Sequence, residues 1–168
     1  MSFWKLLSNN EQQSSNHSGL YDLLKSKLPD ADENQLTKVA CMAGLFTRIA
    51  QVDGHIDDSE REKMQESLKQ WTQFSDQQIQ VIVQTAASEL KRLAGLEDHL
   101  YARPLNDLMD NDEKYEVLEA LFGIAASDGT VDNQESESIR LICGYLNLSH
   151  QHFVSARATV VDYLKALK

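Results

Sequence analysis

With 168 residues and a net charge of −10, from 16 Lys and Arg against 26 Asp and Glu, the chain has the length of one domain. It lacks the basic face that a nucleic-acid binder needs to neutralise phosphates. Its apolar content of 42% is ordinary for a globular protein, and no apolar run approaches the ~18–20 residues of a membrane span.

The chain opens on Met1-Ser2-Phe3-Trp4-Lys5-Leu6-Leu7, too short for a signal-peptide apolar region and without a small-residue cleavage site. A cytoplasmic setting is expected. Residues 8–18 are polar and low in complexity, so 1–18 reads as a flexible tail with a short apolar start and 19–168 as the folded domain. Phe3 and Trp4 are candidates for contact with a partner or a membrane surface, although one short apolar patch with one Lys binds bilayers only weakly.

Helices follow in series. Residues 19–28 carry Leu20, Leu23, Leu24 and Leu28 on one face, and Pro29-Asp30 stops them. Residues 32–51 place Leu36, Val39, Ala40, Ala43, Phe46 and Ala50 at amphipathic helical spacing. Asp53-Gly54 ends that helix, Gly supplying a positive φ. Asp57 and Glu60 form an N-cap and N3 pair opening a helix to about Trp71, with Met64 and Leu68 inward. Ser75 caps a longer helix holding Ile79, Ile82, Val83, Ala86, Leu90 and Leu93. Gly95 and Pro104 mark a break before a short helix over 104–110.

Residues 112–127 then form a helix with Tyr115, Leu118, Leu121, Phe122 and Ala125 inward, stopped by Asp128-Gly129. Asp132 and Glu135 cap the next, lined by Ile139, Ile142, Cys143 and Leu146. Ser149 caps a final helix to about Leu167 with Phe153, Val160, Val161 and Leu164 inward. No segment alternates as a strand does, so the predicted fold is all-α, a bundle of seven or eight helices.

Part of the chain occurs twice. Val52-Asp53-Gly54-His55-Ile56-Asp57-Asp58-Ser59-Glu60 returns as Ser127-Asp128-Gly129-Thr130-Val131-Asp132-Asn133-Gln134-Glu135, at a constant offset of 75. Between 45–64 and 120–139 seven positions are identical. This predicts an internal duplication with pseudo-two-fold symmetry.

The motif invites comparison with a calcium loop, and counting rejects an EF-hand. With Gly54 or Gly129 as the sixth residue, Glu60 or Glu135 falls twelfth, but the first ligand position is Ile49 or Ile124, which cannot ligate. Two readings stay open. In one, Asp57, Glu60, Asp132 and Glu135 are helix caps at ~1 kcal/mol each, and Asp53 and Asp128 shape the preceding turns. In the other, Asp53, Asp57, Glu60, Asp128, Asp132 and Glu135 also bind Ca²⁺ or another divalent cation.

Other chemistry has little support. The five histidines show no zinc spacing, and Cys41 and Cys143 read as core residues without a disulfide framework. No nucleophile triad or phosphate-cradling loop is visible. A non-catalytic module acting through protein partners is expected. The alternatives are a dedicated divalent-cation binder and a metal- or oxyanion-processing enzyme.

At Leu45-Phe46-Thr47-Arg48-Ile49-Ala50-Gln51-Val52-Asp53-Gly54-His55-Ile56-Asp57-Asp58-Ser59-Glu60, and again at 121–135, the chain resembles the tellurite-resistance TerB family, whose domain also occurs in DjlA-type co-chaperones. Gly144-Tyr145-Leu146-Asn147-Leu148-Ser149 is similar to the close of that family's second repeat. The resemblance covers about 19–167. It implies a pseudo-two-fold helical bundle, a bacterial origin, a cytoplasmic or peripheral inner-membrane setting, and a link to stress or tellurite resistance. It also implies divalent-metal binding through the six acidic positions above. Asn133-Gln134 stand where the first motif has Asp58-Ser59, which makes the first site the expected stronger one unless the repeats share one.

Overall fold

Short polar residues set most of the helix starts among the described residues, and proline, glycine or asparagine three of the stops. The computed structural model describes residues 17–51, 55–89 and 98–165. Among them are eight α-helices: α1 His17–Lys27, α2 Glu33–Ala50, α3 Asp58–Trp71, α4 Asp76–Ser88, α5 His99–Leu108, α6 Asn111–Ala125, α7 Asn133–Tyr145 and α8 His150–Ala158. Two 3₁₀ turns complete the set, Ala126–Asp128 and Val161–Tyr163. The only strand-like pairing among these residues is a single parallel bridge between Val131 and Leu164. The fold is all-α, as the periodicity predicts.

Five helices begin with a reciprocal capping box, in which the N-cap side chain accepts the N3 amide and the N3 side chain accepts the N-cap amide. These are Asp57/Glu60, Ser75/Gln78, Asp110/Glu113, Asp132/Glu135 and Ser149/His152. Stops are equally local. Lys25 Nζ donates to the carbonyls of Pro29 and Ala31 just past α1, where a cation favours the negative helix end. Gly129, at φ 100°, turns the chain after α6, a conformation that side-chain-bearing residues rarely adopt. Asn147 does the same after α7 at φ 57°.

The buried apolar residues of all eight helices form one continuous cluster. Helix α2 is its centre and touches α1, α3, α4, α5, α6 and α7. The triplet α2, α3 and α4 packs pairwise, and so does the triplet α6, α7 and α8. The triplets meet through α2 on α6 and α3 on α6, with Lys38 Nζ donating to Glu113 Oε1 at 3.3 Å. Helix α1 lies on α2 and α4, whereas α5 lies on α2 and α7. The approach of α5 to α2 is close because Gly44 has no side chain. A Cβ there would fall 2.5 Å from the Tyr101 ring.

The structure corrects two expectations. Pro104 does not mark a break: it lies inside α5, which starts at His99 and ends at Leu108. An interior proline costs ~3 kcal/mol by removing one backbone bond and crowding the preceding turn. The burial of Tyr101, Ala102, Pro104 and Leu105 offsets it. The last helix also does not run to Leu167. It ends at Ala158, and Val161, expected inward, is 48% exposed. Here the backbone has a competing partner: Val131 N donates to Tyr163 O at 2.7 Å, and Lys165 N donates to Val131 O at 3.0 Å. Smaller differences lie at other ends. Helix α1 takes in His17 and Ser18, and α4 ends at Ser88, so Leu90, Leu93 and Gly95 lie outside the described residues.

Candidate functional site

The acidic motifs sit at the starts of α3 and α7, and their geometry follows from the capping chemistry. In the first, Asp57 N donates to Glu60 Oε2 at 2.8 Å and Glu60 N donates to Asp57 Oδ1 at 2.9 Å. In the second, Asp132 N donates to Glu135 Oε2 and Glu135 N to Asp132 Oδ1, both at 2.8 Å. Glu60 is only 5% exposed; reaching back over the helix start satisfies its carboxylate where solvent does not. The Asp57 carboxyl is held below the usual range, first by the Glu60 amide and then by the Ser59 hydroxyl.

Asp128 is used differently. Its Oδ1 accepts Thr130 N at 2.9 Å and holds the turn around Gly129. Asp132 and Glu135 are therefore brought together, whereas Asp128 faces its own loop. Among the described residues, no three His, Cys, Asp or Glu side chains gather as they do around a metal ion. Asp53 lies outside those residues, as do Phe3 and Trp4. The donor chemistry suits a hard cation in one respect: Asp57, Asp128 and Asp132 each turn one oxygen to a backbone amide and keep a second.

The two motifs also meet. Ser59 Oγ, on the second residue of α3, lies 2.7 Å from Asp57 Oδ1 and 3.3 Å from the carbonyl of Ser127, the residue before Asp128. Helix α3 packs on the turn Ala126–Asp128. The acidic start of α3 and the exposed Asp128 thus form one corner of the molecule. The sequence motif contains Ser59, but nothing in its spacing announces that it reaches the other copy.

A second polar cluster escapes the sequence pattern. Lys114 is 5% exposed and lies on the inward face of α6. Its Nζ donates to Asn106 Oδ1 at 3.3 Å, and Asn106 Nδ2 donates to Tyr145 O at 3.0 Å. Asn106 thereby joins α5, α6 and the carbonyl end of α7, where a cation is favoured. The available signal was a lysine on an otherwise apolar stripe.

Both cysteines are free and buried. Burial pushes the Cys41 and Cys143 thiols up, away from the thiolate form. No helix among the described residues is long and apolar enough to cross a membrane.

No curated protein and no solved structure matches this chain. The family described as tellurite resistance protein TerB matches it over residues 38–158, from the middle of α2 to the end of α8. That span holds both capped acidic motifs and the helices that position them, and the chain belongs to the TerB family.

Proposed function

We propose that this chain is a non-catalytic binding module of bacterial stress or tellurite resistance that offers its acidic corner to protein partners. The observation that carries the reading is the contact of Ser59 with the Ser127 carbonyl, which joins the two motifs into one surface. Around it Asp58, Glu62 and Asp128 are exposed, so a basic partner surface meets concentrated charge without disturbing the caps. The repeated motif supports the reading too: the helices around the first copy, α2, α3 and α4, pack on one another in the same pairs as α6, α7 and α8 around the second. The raised thiols of Cys41 and Cys143 argue against a redox enzyme for oxyanions. A cytoplasmic setting, or a peripheral one at the inner membrane face, belongs to the same proposal.

The second reading is a divalent-cation site at this corner, favoured by the spare carboxylate oxygens of Asp57 and Asp128, with Asp53 proposed as a further ligand. Two measurements separate the readings. A photo-crosslinker at Asn133, used in the native host, is expected to trap a partner protein, and Asp58→Lys/Glu62→Lys to weaken trapping about tenfold or more. Unchanged trapping would remove the acidic-corner reading. Calorimetric heat with millimolar Ca²⁺ that disappears in Asp53→Asn/Asp128→Asn would favour the cation instead.

A further inference from the structure

Five helices start with capping boxes, and in four of them the N3 side chain is a carboxylate or an amide. In α8 it is an imidazole. Ser149 N lies 3.1 Å from His152 Nδ1, and Ser149 Oγ lies 2.7 Å from the same nitrogen. A backbone N–H can only donate, so Nδ1 must be the acceptor, which fixes a neutral ring with its proton on Nε2. In an imidazolium, Nδ1 becomes a donor: it can turn to the Ser149 hydroxyl, but the Ser149 N–H is left facing a donor without its acceptor, and the charge stands at the positive end of a helix. Imidazole is the ordinary side chain whose charge changes between about pH 5 and 8; glutamate and glutamine at the other four starts keep their acceptor there.

The surroundings isolate this change. Helix α8 packs on α6 and α7. From α6 the ring faces Tyr115, with centroids 5.9 Å apart, and Tyr115 is itself hydrogen-bonded to Glu119. From α7, Cys143 Sγ lies 3.6 Å from the Ser149 carbonyl. Burial raises both the Tyr115 phenol and the Cys143 thiol, so neither gains charge in this range. On α8 itself the other imidazole is His150, whose ring lies against Phe153.

What α8 holds gives the change its consequence. Phe153 and Ala156 seat the helix in the core, Val160 and Leu164 continue the buried face, and residues 163–165 bracket Val131 immediately before the Asp132 cap. We propose that the start of α8 is a pH-sensitive latch: protonation of His152 removes its half of the box with Ser149, loosens α8 and releases the C-terminal pairing from the second acidic motif. The latch is a property of the fold and stands independently of what the acidic corner binds.

Amide hydrogen exchange, corrected for intrinsic rates, tests it on the full chain at about pH 7.5 and about pH 5.5. The wild type is expected to lose about tenfold in protection, across α8 and at Val131 and Lys165 together, as pH falls. His152→Gln, which copies the Ser75/Gln78 box, is expected to hold its protection at both values; His150 is present in both proteins and cancels. An equal loss in His152→Gln would overturn the proposal. So would a loss confined to the first turn of α8 with Val131 unchanged, because that is fraying rather than release. Nitrogen NMR showing the proton on Nδ1 at the higher pH would overturn it as well.

Discussion

At the scale of single residues, Gly44 is the position where local preference and packing disagree most sharply. It lies in the interior of α2, where alanine is favoured over glycine by up to about 1 kcal/mol. The space is already taken: a Cβ would sit 2.5 Å from Tyr101 Cδ1 and 2.6 Å from Cε1, and that ring is buried against the core. Gly44→Ala is therefore expected to destabilise the protein by about 1–3 kcal/mol in urea unfolding. Gly44→Ala/Tyr101→Leu should recover part of the loss, since the smaller side chain vacates the ring's place. A more stable Gly44→Ala would mean that helix propensity outweighs packing here. By contrast, the caps at Asp57 and Asp132 depend on partners three residues away, which is why Asp-x-x-Glu announces them in the sequence.

At the scale of elements, legibility divides along the same line between near and distant partners. Helices α2, α3, α6 and α7 are legible because their apolar periodicity and capping residues agree and nothing distant opposes them. Helices α5 and α8 are misread where a remote segment decides. The buried Tyr101 and Leu105 seat α5, which continues through Pro104, and Val131 pairs with the chain after Ala158 where the helix has ended. The candidate site is legible as six acidic positions, whereas the meeting of the two motifs through Ser59 and Ser127 needs the tertiary fold. Asn106 belongs to the same illegible class, since its partners lie on two other helices. Asn106→Ala leaves the Lys114 ammonium and the Tyr145 carbonyl buried without their shared amide. The expected cost is about 1–3 kcal/mol of stability. Lys114→Met in the same background should restore some of it by removing the stranded charge. Additive losses in that double variant would show that the two side chains are not coupled.

At the scale of the whole molecule, a motif that occurs twice raises the question of whether the two halves are independent. Two domains joined in tandem would each keep a private core and melt separately. The packing here is of the other kind. Helix α5 follows the first half in sequence, yet lies along α2 and α7, and α3 packs on α6. The contacts between halves include polar ones: Trp71 Nε1 donates to Glu116 Oε2 at 2.9 Å, and Lys38 pairs with Glu113. Lys38 and Glu113 are themselves separated by the repeat offset, so their contact places them where a two-fold relation between the halves would have its axis. The helices that meet there, α2 and α6, carry fully buried side chains, Phe46 on one and Leu118 and Leu121 on the other, and these belong to one continuous core. Unfolding in urea is therefore expected to be a single transition. In Trp4→Phe, the fluorescence of Trp71, from the first half, should follow the same midpoint as far-UV circular dichroism, which reports all the helices. Separate midpoints would mean that the halves hold their own cores and that the shared surface is a docking contact between two domains.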